Sequence, residues 1–128
     1  MKGRRVAVTG IGAVSPIGDT YGETLASLRA GRHGISVMHA WKAIPHLTTR
    51  LGAPARGERI ASISKKLSRT MGRVSQLAAV ATSEAIADAG LDADEIRSGS
   101  VGLAYGSTHG SSSGGGASRH TGSPLSRG

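Results

Sequence analysis

The sequence predicts an α/β protein in which only part of a layered architecture is present. Three observations carry that expectation. The β-branched run Arg5-Val6-Ala7-Val8-Thr9 ends at Gly10 and reads as a buried strand. Met71 to Ala89 repeats apolar residues at helical spacing, and Ser100-Val101-Gly102-Leu103-Ala104-Tyr105-Gly106 reads as a second strand. The order strand, helix, helix, strand forms an α/β layer, but two strands do not complete a sheet.

The elements follow in order along the chain. After the first strand, Gly10 to Gly18 is a glycine-punctuated loop, and Pro16 forbids a regular helix through it. Asp19 or Thr20 can cap a helix over Thr20 to Ala30, with Leu25, Ala26 and Leu28 on its apolar side and Gly31 as its C-cap residue. Residues 32–64 scatter Ile35, Val37, Trp41, Ile44 and Leu47 among His, Pro and Arg, a surface excursion in which Arg50-Leu51-Gly52-Ala53 forms a short edge strand. The long helix follows. Its apolar stripe runs Met71, Val74, Ala78, Ala81 and Ala85, small enough for a neighbouring element to approach closely. Gly90 ends it, Leu91 makes the contact beyond the cap, and Asp92, Asp94 and Glu95 suit a short turn.

Composition limits the core. The chain has 128 residues, which fits one small domain at most, with 20 Gly, one Trp, two Tyr and no Phe. Aromatic residues bury about 150–250 Å² each in ordinary domains, so Val, Ile, Leu and Ala must supply nearly all of the core here. The absence of cysteine excludes disulfides, Cys-based metal sites and a thiol nucleophile within this chain. No apolar stretch reaches the roughly 18 residues of a membrane span, and the opening MKGRRVAVTG lacks the apolar core of a signal peptide, so the expected location is the cytoplasm. Residues 111–128 are rich in Gly and Ser with Leu125 as the single large apolar residue, and are expected to be disordered.

Four constellations bear on chemistry. Gly10 and Gly12 follow a strand, yet position 15 is Ser and Pro16 comes next, so the third glycine of a dinucleotide cradle is missing. A tight glycine turn passing close to packed backbone is the better reading. His33, His39, His46, His109 and His120 have neither helical pairing nor a carboxylate at ligand spacing, and no metal or other cofactor is expected. Ser107-Thr108-His109-Gly110 departs from the Gly-x-Ser-x-Gly elbow of serine hydrolases and leads into no helix.

The fourth constellation is basic. Lys and Arg number 16 against 8 Asp and Glu, a formal charge of +8. Arg59, Lys65, Lys66, Arg69 and Arg73 lie in a stretch without an acidic residue from Arg59 to Ser83. The cluster ends where the long helix starts, a place where cations oppose the macrodipole. It reads either as a solvated loop or as a surface for an anionic partner. Nucleic acid is the lesser alternative, because a base-stacking surface needs aromatics that this chain lacks.

Five blocks carry a resemblance. Arg5-Val-Ala-Val-Thr-Gly-Ile-Gly-Ala-Val-Ser-Pro-Ile-Gly18 closely resembles the opening of the β-ketoacyl-acyl carrier protein synthases, the condensing enzymes of fatty acid synthesis. The likeness continues through Leu25-Ala-Ser-Leu-Arg-Ala-Gly-Arg-His-Gly-Ile35, Arg69-Thr-Met-Gly-Arg-Val-Ser-Gln-Leu-Ala78, Ala85-Ile-Ala-Asp-Ala-Gly-Leu91 and Val101-Gly-Leu-Ala-Tyr-Gly106. It covers residues 4 to about 110 in the family's order and stops near Ser111–Ser113. Residues 1–110 therefore read as a partial synthase N-terminal domain and 111–128 as a tail, either from a shifted or prematurely ended reading frame or as the linker of a naturally short protein.

The resemblance implies a thiolase-like α/β/α fold built from two related halves, of which this chain holds an incomplete N-terminal part. It also implies decarboxylative Claisen condensation of acyl and malonyl thioesters, in fatty acid or polyketide synthesis, by a cysteine nucleophile and two histidines. None of those three residues can be carried over: the chain has no Cys, and none of its histidines sits in a matching motif. Gly72 stands where the family often has Asp. One feature transfers by position. Basic residues just before this Met help elongating synthases dock the acidic acyl carrier protein, and Lys66 and Arg69, with Lys65 adjacent, occupy similar places. The resemblance further implies a homodimer in the intact form. The expected function is that of a truncated synthase, inactive alone; the alternative is a non-catalytic carrier-protein-binding module.

Overall fold

The computed structural model describes residues 5–107. Thr20 opens the first helix, α1 (Tyr21–Arg29), its side chain accepting from the Glu23 N–H at 3.1 Å. Arg29 sits in the last turn, where it complements the helix dipole. Ahead of α1, Ser15-Pro16-Ile17-Gly18 closes a tight turn through Ser15 N–H to Gly18 O at 2.8 Å, and the Ser27 hydroxyl donates to Ile17 O at 2.7 Å. The loop is thereby tied to the helix that follows it.

The surface excursion is more ordered than expected. Strands β1 (Ser36–Val37) and β2 (Leu51–Gly52) form an antiparallel pair in register Ser36↔Gly52 and Val37↔Leu51. The expected edge strand is therefore present and has a partner. Two 3₁₀ turns, His39–Ala43 and Glu58–Ser62, flank β2. A short helix α2 (Lys65–Ser68) then leads into the long helix α3 (Arg73–Ala89). Gly90 ends α3 at φ 69°, and Leu91 N–H donates to Ile86 O at 3.2 Å while Gly90 N–H donates to Ala87 O at 3.1 Å, the bond pair of a Schellman motif.

Three expectations need correction. Residues 92–97 do more than turn: they form helix α4 (Ala93–Arg97). Asp92 and Glu95 build a capping box, with Asp92 Oδ1 accepting from the N–H groups of Asp94 and Glu95 and Glu95 Oε2 accepting from Asp92 N–H. The other two corrections concern strands. Arg5–Thr9 and Ser100–Gly106 carry no strand pairing, and their large side chains are exposed, Val6 at 91% and Leu103 at 75%. The physical reason is that a strand is defined by a neighbour. No other segment among the described residues lies alongside either run to complete a ladder.

The core is correspondingly small. Val80, on α3, is the one buried apolar side chain among the described residues, and Asp19 and Ser27 are buried polar residues. Much of the cohesion is instead polar and close-range. The Gly10–Ala13 backbone runs against α3 so tightly that a Cβ built on Gly12 would lie 2.8 Å from Ala85 N and closer still to Ala81 O. This is the close glycine approach that the sequence favoured over a nucleotide cradle, and the Ala stripe is the surface it approaches.

Candidate functional site

Two polar assemblies stand out, one half-buried and one exposed. The half-buried one centres on Glu84 of α3. Its Oε2 accepts from Ala13 N–H and from Arg59 Nη1, both at 3.0 Å, and its Oε1 accepts from Tyr21 N–H at 2.8 Å. One turn further on, Asp88 Oδ2 accepts from Ile11 N–H at 2.9 Å. Arg59 also donates through its backbone N–H to Asp19 Oδ2 at 2.8 Å, through Nη1 to Asp19 O at 3.0 Å and through Nη2 to Val80 O at 3.3 Å. Burial works against a charged Glu84, but the Tyr21 and Ala13 N–H groups and the Arg59 guanidinium outweigh it. They hold the carboxyl below the usual glutamate value. Asp19 Oδ1 lies buried with no hydrogen-bond partner among the described residues.

The exposed assembly is the basic turn. Ser64 caps α2, its hydroxyl accepting from Leu67 N–H at 3.4 Å. Gln76 of α3 reaches back with Nε2 to Ser68 O at 3.1 Å and Met71 O at 3.2 Å, clamping the end of α2 to the start of α3. On this clamped turn Lys65, Lys66 and Arg69 are exposed, and none of their side chains has a hydrogen bond or ion pair among the described residues.

The five-residue basic cluster thus divides. Arg59 is half-buried, held by Glu84 and Asp19. Arg73 spends its guanidinium on Ala55 O at 2.9 Å and Arg56 O at 3.1 Å, joining α3 to the preceding loop. Lys65, Lys66 and Arg69 remain together with their charges open to solvent. His33, His39 and His46 are exposed and dispersed, and among the described residues no three His, Cys, Asp or Glu side chains are placed to hold a metal. His109 and His120, with the expected tail 111–128, lie outside the described residues.

Sequence reasoning passed over Glu84 and Asp88. A signal for them existed: on a helical wheel they fall four residues apart within the Ala81–Ala85 stripe, not opposite it. Two carboxylates inside an otherwise apolar stripe need donors, and the neighbouring loop backbone supplies them.

The fold aligns with a crystal structure of a β-ketoacyl synthase from Burkholderia phymatum STM815 at a TM-score of 0.62 and 42% identity, covering 71% of this chain and 22% of that one. The architecture is therefore part of a thiolase-like α/β fold. The β-ketoacyl synthase N-terminal domain family matches residues 3–127, and this chain belongs to that family. Among curated relatives, the 3-oxoacyl-[acyl-carrier-protein] synthase 1 of Haemophilus influenzae is 34% identical over 108 residues, 84% of this chain and 26% of its own length. That of Escherichia coli K12 is 36% identical over 119 residues, 84% of this chain and 27% of its length. The chain spans about a quarter of the relatives it matches. No helix among the described residues is long and apolar enough to cross a membrane.

Proposed function

We propose that this chain is the N-terminal segment of a β-ketoacyl-acyl carrier protein synthase and that its own contribution is to dock the acidic acyl carrier protein through Lys65, Lys66 and Arg69. One observation carries the docking assignment. These three cations share a short clamped turn with their charges open, whereas Arg59 and Arg73, their neighbours in sequence, are engaged in holding the fold. The relatives' names, which specify an acyl-carrier-protein substrate, support the same reading.

In the proposed reaction an acyl group is carried on a cysteine thioester, a malonyl thioester loses CO₂, and the resulting carbanion attacks the acyl carbonyl; the new carbon–carbon bond forms, the carbon–sulfur bond breaks and the cysteine thiolate leaves. This chain has no cysteine, so it supplies no thiol for that step, and its part is to bring the carrier protein to the surface. The proposed setting is cytoplasmic, and the complete synthase is proposed to work as a homodimer. The second reading, a carrier-binding module that serves no catalysis, rests on the same three residues.

Titration with acyl carrier protein tests the docking assignment. Binding that weakens with salt and is abolished by Lys66→Glu with Arg69→Glu is the expected result. Salt-independent binding, or binding indifferent to both substitutions, would overturn it. A condensation assay on the 128-residue chain separates the two readings from an active enzyme: β-ketoacyl product formed by this chain alone would refute both.

A further inference from the structure

We infer that the cleft along α1 binds a short zwitterionic chain, its ammonium held by Asp19, Glu23 and Glu58 and its carboxylate by Arg32 and His33. This site shares no residue with the basic turn. The cleft measures about 610 Å³ and lies between α1, the loop that precedes it and residues 54–58. Hydrogen bonds fix which charge sits where. Asp19 stands at the start of α1, where its N–H donates to Glu23 Oε2 at 2.8 Å. Arg59 N–H donates to Asp19 Oδ2 at 2.8 Å, which brings the adjacent Glu58 to the same end. The loop lies alongside the helix from there. Ile17 O accepts from the Ser27 hydroxyl, and Pro16 packs against Gly34 beyond the helix, where a Cβ built on Gly34 would lie 2.5 Å from Pro16 Cβ. Arg32 and His33 line the cleft next to this second contact. The carboxylates thus gather at one end of the nine-residue helix and the cations at the other, about 13 Å away along its axis.

Two observations point to a ligand carrying both signs. Asp19 is 6% exposed, and its Oδ1 is covered and has no hydrogen-bond partner among the described residues. A buried carboxylate oxygen is costly to leave unmet, so this end of the cleft is short of a donor. An ammonium brings three, and a small turn of the carboxyl group about its last bond presents Oδ1 to it. At the other end, the Arg32 and His33 side chains are exposed, with no hydrogen bond or ion pair among the described residues. Arg56, on the far wall, adds a further cation. Three carboxylates therefore face two guanidiniums and an imidazole, a balance that suits a zwitterion better than a simple anion or cation. The α1 dipole opposes this order, but its ends are already met, by Glu84 and Thr20 at the first N–H groups and by Arg29 in the last turn.

Length sets the class of ligand. An extended chain spans at most ~3.3–3.6 Å per residue, so three or four residues with free termini bridge the two ends. The volume agrees: a dry cavity of roughly 150 Å³ accepts a benzene ring, and this cleft is about four times as large.

Titration of the full chain with tetraalanine, followed by NMR chemical shifts, tests the site. Tetraalanine should bind about tenfold tighter than its N-acetylated or its C-amidated form, the order expected for losing one charge-assisted hydrogen bond. It should also bind tighter than dialanine, which is too short to reach both ends. Glu58→Gln and Arg32→Gln change exposed side chains, and circular dichroism checks that each variant keeps its fold. Glu58→Gln should weaken tetraalanine and leave the N-acetylated form unchanged, whereas Arg32→Gln should weaken tetraalanine and leave the C-amidated form unchanged. No binding up to about 10 mM overturns the inference. So do capped peptides or dialanine that bind as well as free tetraalanine, and folded variants that bind it as well as the native chain.

Discussion

Glu84 Oε2 and Arg59 Nη1 meet at 3.0 Å, and this pair is the joint at which the chain's separate segments converge. Through Glu84 the joint reaches the glycine loop at Ala13 and the start of α1 at Tyr21; through Arg59 it reaches Asp19 and the 3₁₀ turn that precedes α2. With Val80 the one buried apolar side chain among the described residues, hydrophobic burial is a weak source of cohesion. The polar joint takes a larger share of the work than it would in a domain with a full core, and it fixes the frame from which the basic turn projects.

Removing the acid should therefore be costly. Glu84→Ala strands the Ala13 and Tyr21 N–H groups and leaves the Arg59 guanidinium without its carboxylate, for an expected loss of about 2–4 kcal/mol. Glu84→Gln keeps an oxygen acceptor of similar shape and should cost less. Urea unfolding followed by circular dichroism checks the order of the two variants, and equal losses would show that the charge and not the hydrogen bonds carries the effect.

The same carboxyl sets an acid limit. Its folded-state value lies below the usual glutamate value of 4.5, so the unfolded chain takes up the proton first as the pH falls. Stability from this group is accordingly complete at neutral pH and is lost as the pH drops below 4.5 and through the lower folded-state value. Denaturation midpoints measured from neutral pH downward should show that decline in the native chain and a shallower one in Glu84→Gln. An unchanged profile in the variant would assign the acid sensitivity to other carboxylates.

How much of this was readable from sequence depends on the range of the interaction. Helix α3 was expected from Met71 to Ala89 and runs from Arg73 to Ala89, because periodicity, Ala propensity and the Gly90 cap act within a few residues. A tight glycine turn passing close to packed backbone was legible from the glycines themselves, but the segment it passes, the α3 backbone at Ala81 and Ala85, is distant in sequence and only the fold names it. Arg5–Thr9 and Ser100–Gly106 have strand-like composition, yet pairing is a relation to another segment, and no composition of their own can supply one. At the basic turn, sequence grouped five cations that differ entirely in role. Only the fold separates Arg59 and Arg73, whose partners are distant in sequence, from Lys65, Lys66 and Arg69.

Two glycine substitutions should have opposite signs. A Cβ at position 12 meets the α3 backbone at Ala81 and Ala85, where neither the loop nor the helix can yield cheaply, so Gly12→Ala should destabilise by about 1–3 kcal/mol. Gly22 lies within α1 with open space around it, and Gly22→Ala should stabilise by roughly 0.5–1 kcal/mol through helix propensity. Thermal unfolding of the two variants under one buffer decides both, and a neutral Gly12→Ala would mean that the loop does not hold its position against α3.

Stability also separates docking cations from structural ones before any partner is added. The side chains of Lys65, Lys66 and Arg69 are exposed and bond to nothing among the described residues, so alanine at each should stay within about 0.5 kcal/mol of the native chain. A slight gain is expected, since each change reduces a net charge of +8. Arg73→Ala gives up two hydrogen bonds to the Ala55 and Arg56 carbonyls and should lose about 1 kcal/mol. Arg59→Leu should lose more, because it uncouples Glu84, Asp19 and the Val80 carbonyl together. Urea midpoints across the five variants give the ranking directly. A loss at Arg69 as large as that at Arg59 would make Arg69 a structural residue and remove it from the docking surface.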